Sequence, residues 1–321
     1  MPKALKIQAL ERVRIIHSCL TEGSKGLMKL YAPKYYANFK CIADKCEHNC
    51  CTGWEIDIDK VTLEKYKRLK GGYSDTIKES ISFEDEPHFR LGEDERCPHL
   101  DEHGLCKIIC CVGEDYLSDI CREHPRFYNY TNVAEVGIGM SCPEAARVIL
   151  CSPDYASFEE IGETEKESVA PIFDGVGERN RIFEILGDSR CDYQERLRKI
   201  YRDYSIDARN DAYWLKLLDS LEYLDDGHKR LFMNYSARAR SDGNEEYLER
   251  FLAYLFYRHV TEAVDKEDFS ARLGFCLFLE RLFDSLISYE KAKSLNEIAY
   301  LASVISEEIE YSEDNTFILT Y

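Results

Sequence analysis

The sequence predicts a mainly α chain in two parts: an irregular, cysteine-rich metal- or cluster-binding N-terminal domain with a little β, then an all-α helical domain. Three observations carry this reading. Ten of the 14 cysteines lie between Cys41 and Cys142. Downstream, apolar residues recur at i, i+3, i+4, i+7, the spacing of an amphipathic helix. Between the two patterns the composition changes near residue 155, with an acidic stretch and then Pro171, Gly175 and Gly177 across residues 157–180, which reads as an exposed connection.

In the first part, Trp54-Glu55-Ile56-Asp57-Ile58-Asp59 alternates apolar with acidic residues, as a half-buried strand does. A short helix is predicted from Val61 to Lys70, stopping at Gly71-Gly72, where glycine accepts a left-handed conformation. Val133 to Met140, rich in Val, Ile and Gly, reads as a second extended piece. A domain of this kind has little apolar core of its own, and a bound metal would supply the missing folding free energy.

The helical stripes of the second part are Leu197, Ile200, Tyr201, Tyr204; Trp214, Leu217, Leu218, Leu221; Leu248, Phe251, Leu252, Leu255; Leu279, Leu282, Phe283, Leu286; and Ile298, Leu301, Ala302, Ile305. Ser294 with Glu297 forms a capping box at the start of the last. Five such helices bury their stripes against one another, which predicts an α bundle whose aromatic and aliphatic stripes are core. Gly175-Val176-Gly177 has no alternating β and α segments around it and reads as a loop, not as a nucleotide-binding turn.

Composition excludes several classes of function. Of 321 residues, 45% are hydrophobic, and 2 Trp, 22 Tyr and 15 Phe are too many for a disordered chain. No apolar run approaches the roughly 20 residues of a membrane span. A formal net charge of −18 argues against a general nucleic-acid binder and suits a basic or amine-bearing protein partner. With no secretory signal in the sequence, the cysteines read as reduced and the protein as cytoplasmic, where dense cysteines signify metal more than crosslinks.

The cysteines form two groups, Cys41-x4-Cys46-x3-Cys50-Cys51 and Cys97-x8-Cys106-x3-Cys110-Cys111-x9-Cys121, with Cys142 following. Thiolates three to five residues apart converge on a metal from a turn. Ten candidates exceed the four ligands of one zinc or one [4Fe–4S] cluster, so either two centres exist or some cysteines are bystanders. Adjacent cysteines diverge and serve different metal atoms. The competing reading is that cysteines are buried as small hydrophobes, and it is preferred for Cys19, Cys151, Cys191 and Cys276. His48, His99, His103 and His124 stand beside the cysteines as surface or supporting residues.

The stretch Tyr35-Tyr36-Ala37-Asn38-Phe39-Lys40-Cys41-Ile42-Ala43-Asp44-Lys45-Cys46 with Cys50-Cys51-Thr52-Gly53-Trp54 resembles the opening of bacterial flagellin lysine-N-methylases. Cys97-Pro98-His99-Leu100, Tyr116-Leu117-Ser118-Asp119, Cys121-Arg122, His124-Pro125-Arg126 and Ser141-Cys142-Pro143-Glu144-Ala145-Ala146-Arg147 follow in the same order. Tyr257-Arg258-His259 and Glu307-Glu308-Ile309-Glu310 through Asn315 also resemble that family. The cysteine pieces are similar as well to a broader group of zinc- or iron-chelating domains.

The resemblance implies methyl transfer to lysine ε-amines of flagellin, with S-adenosylmethionine as donor and a [4Fe–4S] cluster, zinc being the alternative metal. The matching cysteines are Cys41, Cys46, Cys50, Cys51, Cys97, Cys106, Cys121 and Cys142. Gly53 stands where the third cysteine of a radical S-adenosylmethionine motif would be, so the cluster is not read as a radical generator. The resemblance begins at Met28, which divides the chain into residues 1–27 as an extension or miscalled start, 28–155 as the cysteine domain and 156–321 as the helical domain. Glu55, Asp57 and Asp59 read as a solvated acidic face, and Arg122, His124 and Arg126 as holders of a donor carboxylate or of an anionic cluster. Arg258-His259 would line a pocket or cap its helix. No catalytic residue is assignable from the sequence. A non-catalytic, zinc-stabilised interaction module is the competing function.

Overall fold

The computed structural model describes residues 27–46, 50–84, 86–165 and 172–321. The expectation that residues 1–27 are an extension or a miscalled start therefore falls, but for Leu27, on residues outside this range, as do Cys19 and His48.

The chain opens with strand β1 (Met28–Pro33) and passes through the first cysteines to α1 (Lys60–Arg68) and α2 (Ser74–Ser80). Asp59 caps α1 by accepting from Thr62 N at 2.9 Å, and Gly71 and Gly72, both at positive φ, turn the chain after it. A two-stranded ribbon follows, β2 (Ile81–Ser82) with β3 (His88–Phe89), and then the short helices α3 (Lys107–Val112) and α4 (Asp119–Glu123). Ile56, Ile58, Tyr66, Ile77, Phe89 and Leu100 pack here as a small apolar cluster of their own.

The next elements are β4 (Arg126–Tyr130), β5 (Ala134–Ile138), α5 (Pro143–Leu150) and β6 (Phe158–Thr164). They build a sheet in the order β4-β5-β1-β6, with β5 parallel to β1 and the outer pairs antiparallel. Every residue of β5 is buried, which fits its central place and its apolar run.

Helices α6 (Gly175–Leu186), α7 (Tyr193–Asp203), α8 (Asp211–Asp219), α9 (Asp226–Phe232), α10 (Glu245–His259), α11 (Lys266–Glu290) and α12 (Leu295–Ile305) complete the core. A π-turn (Ser306–Glu310) leads into α13 (Glu313–Thr320). The main apolar core runs from Tyr35 through β5 and α5 to Leu319, and so includes residues on both sides of position 155. The predicted helical stripes fall on α7, α8, α10, α11 and α12, except that Tyr204 caps α7 and Leu221 lies two residues beyond α8. The Ser294–Glu297 capping box is present in both directions. Ser294→Ala is expected to cost about 1 kcal/mol in urea unfolding.

Three readings need correction. Trp54–Asp59 buries Ile56 and Ile58 alternately but is not a strand, because it makes a single isolated bridge, Asp57 to His88. Residues 157–180 are not simply a connection: β6 pairs along β1, and α6 begins at Gly175. Gly175-Val176-Gly177 is accordingly the first turn of a helix, capped by Asp174, which accepts from Gly177 N at 2.9 Å.

Candidate functional site

Three backbone pairings draw the cysteines together. Cys97 N donates to Cys51 O at 2.8 Å, Leu100 bridges to Cys106, and Lys107 N donates to His99 O at 2.7 Å. Helix α4 adds Cys121, and the chain leaving β5 adds Cys142 at the N-cap of α5. Burial raises the thiol pKa of Cys97 and Cys106, of Cys121 to about 11 and of Cys142 to about 12, and neighbouring thiols add to each shift. Cys50 is among those neighbours for all four, and its bond to Cys51 is the largest cause of that thiol's rise. Cys106 is raised by Cys110 as well as by Cys50, and Cys142 by Cys46 as well as by Cys50.

Seven of the eight expected cysteines, and Cys110 besides, have a thiol pKa raised by another thiol or raise one themselves. Cys41 is exposed, and its thiol accepts from Ala43 N at 3.4 Å. Cys97, Cys106 and Cys142 each receive backbone N–H groups from the residues just after them, an arrangement that favours a negatively charged sulfur. Among the described residues no three His, Cys, Asp or Glu side chains are set to hold one metal ion. A thiol-only donor set suits a four-cysteine zinc and an iron–sulfur cluster alike.

The histidines serve elsewhere. His99 is fully buried between Tyr73 Oη at 3.0 Å and Ser80 Oγ at 2.9 Å, and burial pushes its pKa down to about 4. His103 lies exposed beside Glu102. Of the acids, Glu55 and Asp57 are exposed, while Asp59 also accepts from Asp119 N at 2.9 Å and so ties α1 to α4. Arg122 pairs with Asp119, and Arg126 Nε donates to Tyr36 Oη at 2.8 Å.

Arg258 and His259 stand in the last turn of α10, as basic residues at a helix C-terminus do. They grip Glu310 in the π-turn, His259 Nε2 at 2.6 Å and Arg258 Nε at 3.5 Å from the same oxygen. Tyr254 Oη donates to the other oxygen at 3.0 Å and accepts from Arg258 and from Met140 N. This buried network aims Tyr311 at the cysteine region, where its ring meets Trp54 and His124 at centroid distances of 5.5 and 6.4 Å. Gly139 is needed for the approach, since a Cβ there would lie 2.5 Å from Tyr311 Oη and 2.7 Å from Arg258 Nη1. Glu308 and Asn315 anchor the far side of the turn: Glu308 accepts from Leu224 N and Asp225 N, and Asn315 Nδ2 donates to the carbonyls of Glu222 and Glu308. Ser141, one residue before Cys142, keeps a buried hydroxyl with no hydrogen-bond partner among the described residues.

A cleft of about 500 Å³ opens at the other end of β5, walled by Tyr31, Phe158 and Phe183. Glu135 and Arg179 form its floor, Arg179 Nη1 donating to both carboxylate oxygens at 2.9 and 2.7 Å.

FliU, a flagellar biosynthetic protein of Salmonella muenchen, is 30% identical to this chain over 161 residues, covering 48% of the chain and 94% of FliU. The chain belongs to the FliU family. Two proteins named lysine-N-methylase, from Salmonella choleraesuis and Salmonella typhimurium, are 31% identical over 150 residues, or 44% of this chain. The alignment takes in 37% of each of those two proteins, well under half their length. No protein-family model and no solved structure matches the chain. Sequence reasoning on this FliU-family chain missed the cleft. Its floor joins residues 44 positions apart, and the only signal was one glutamate inside an apolar strand.

Proposed function

We propose that the chain is a flagellin lysine N-methyltransferase that uses S-adenosylmethionine and carries an iron–sulfur cluster on the converging cysteines. The observation that supports the activity most is the 31% identity to two lysine-N-methylases. A net charge of −18 suits a lysine-bearing protein substrate. In the reaction, a neutral lysine nitrogen attacks the sulfonium methyl in line. The N–C bond forms as the C–S bond breaks, the thioether leaves, and the new ammonium sheds a proton to solvent or a base. The protein's part is to position and desolvate the two reactants. Purified protein, unmethylated flagellin and S-adenosylmethionine should give flagellin heavier by whole methyl groups on lysine. Unchanged flagellin under anaerobic conditions refutes the activity.

The cluster has a separate test. Protein purified anaerobically is expected to contain iron and matching acid-labile sulfide. Cys50→Ser should lose most of both, whereas Cys151→Ser, at an exposed position, should retain them. Zinc without sulfide would favour the non-catalytic module.

A further inference from the structure

We infer that the outer edge of β4 receives an extended, lysine-bearing segment of the protein substrate as an added strand. This rests on the methyltransferase reading and gives its protein substrate a place. β4 stands at one end of the sheet order β4-β5-β1-β6, and no described strand pairs with its outer side. Gly139 N donates to Pro125 O at 2.6 Å and Thr131 N to Val133 O at 3.1 Å, which fixes the phase of the ladder with β5. In that phase Phe127 and Asn129 turn their backbone groups toward β5, whereas Arg126 and Tyr128 turn theirs outward. An edge of this kind is a template for another extended chain.

The strand is held rigidly from within. Asn129, buried, donates from Nδ2 to Tyr257 O at 3.0 Å, and the Phe127 ring lies 5.4 Å from that of Tyr257. The opposite face carries Tyr128 and Tyr130, each 37% exposed, with ring centres 5.9 Å apart and planes within 3° of parallel. Together they make a flat aromatic face along which the apolar stem of a lysine can lie. Glu123, the last residue of α4, stands at its rim: Oε2 accepts from Tyr128 Oη at 2.8 Å, and Oε1 is 3.7 Å from Arg122 Nε. A carboxylate has about four acceptor sites, so Glu123 keeps capacity for the ammonium at the end of that stem. The ring faces and the carboxylate attract a cation together, and a net charge of −18 steers a basic segment toward the chain. Ile120, 48% exposed and one helical turn before Glu123, extends the apolar surface. Cys121 shares α4 with Glu123, so a lysine held here lies beside the cysteine region.

The test is calorimetric titration of the full chain with unmethylated flagellin, run beside the methylation assay. Glu123→Gln removes the carboxylate charge and Tyr128→Ser the ring. Tyr128→Pro removes the ring and the outward N–H while sparing the ladder to β5. Glu123→Gln and Tyr128→Ser are expected to weaken flagellin binding at least about tenfold with thermal midpoints near that of the wild type, and Tyr128→Pro to weaken it further. Flagellin with acetylated lysines should bind the wild type at least about tenfold more weakly too. In turnover the loss should fall on KM and leave most of kcat, and this decides the matter where binding is too weak to titrate. If folded Glu123→Gln and Tyr128→Ser bind flagellin as the wild type does, or acetylated flagellin binds equally well, the β4 assignment falls and methyl transfer stands. Equal affinities of the two Tyr128 variants overturn the added strand. Flagellin that binds but stays unmethylated refutes the methyltransferase reading, and the variants' binding still decides the surface. If flagellin neither binds nor is methylated, both fall.

Discussion

Glu310→Gln is expected to destabilise the protein by about 3–5 kcal/mol at neutral pH, the usual cost of stranding a buried charge. Glu310 is fully buried in its side chain, and burial by itself would push its carboxyl up. Arg258 and His259 overcome that and hold the pKa at about 2. A pKa lowered in the folded state gives stability that is present above the unfolded value of 4.5 and is lost as pH falls toward about 2. The shift corresponds to roughly 3 kcal/mol, in line with the mutational cost. The glutamine keeps the shape but leaves Arg258 buried without its anion. Urea unfolding at pH 7 measures the loss, and a change below about 1 kcal/mol would show the network to be passive. The double variant Arg258→Met, Glu310→Met is expected to lose less than the sum of its single changes, because each single change strands the other partner. The network also seats Tyr311 against Trp54 and His124, so Glu310→Gln should loosen the junction with the cysteine region.

What the sequence disclosed depended on how local the signal was. Stripes such as Leu248, Phe251, Leu252 and Leu255 lie within one helix, and a 3.6-residue period survives any tertiary arrangement. Ser294 and Glu297 are equally local. Strand β6 was hidden because nearly all its residues are exposed and it alternates nothing; it exists only through its register with β1, more than a hundred residues away. Trp54–Asp59 shows the converse, a clean alternation with no neighbour long enough to make a ladder. The density of cysteines was legible in the sequence, but that Cys50 acts on Cys97, Cys121 and Cys142 was not, since it depends on where those residues come to rest. The Glu135–Arg179 floor left only an acid in an apolar run, and Arg258 and His259 found their partner in a π-turn that no periodicity announces.

Glu280→Gln should make the protein more stable than the wild type at pH 8 by several kcal/mol, with little difference near pH 5. Glu280 lies in the middle of α11 with no exposed surface, and Tyr193 Oη donates to its Oε1 at 3.0 Å. Its Oε2 has no partner among the described residues. Burial, reinforced by Asp284 one turn on, raises its pKa to about 8 from an ordinary 4.5. Between those values the folded chain holds a proton that the unfolded chain has released. Stability therefore declines as pH rises from about 4.5 to about 8 and is level above. Complete ionisation costs on the order of 5 kcal/mol, an upper figure because the surroundings relax. Glutamine keeps the acceptor for Tyr193 and cannot ionise, so its urea midpoint should lack this decline. Wild type and variant falling in parallel from pH 5 to 8 would show that Glu280 does not titrate there. The decline itself carries a functional consequence, since α10 packs on α11 and presents Arg258 and His259 to Glu310. Charging Glu280 strains the support beneath that network, and the junction with the cysteine region should loosen at alkaline pH before the chain unfolds.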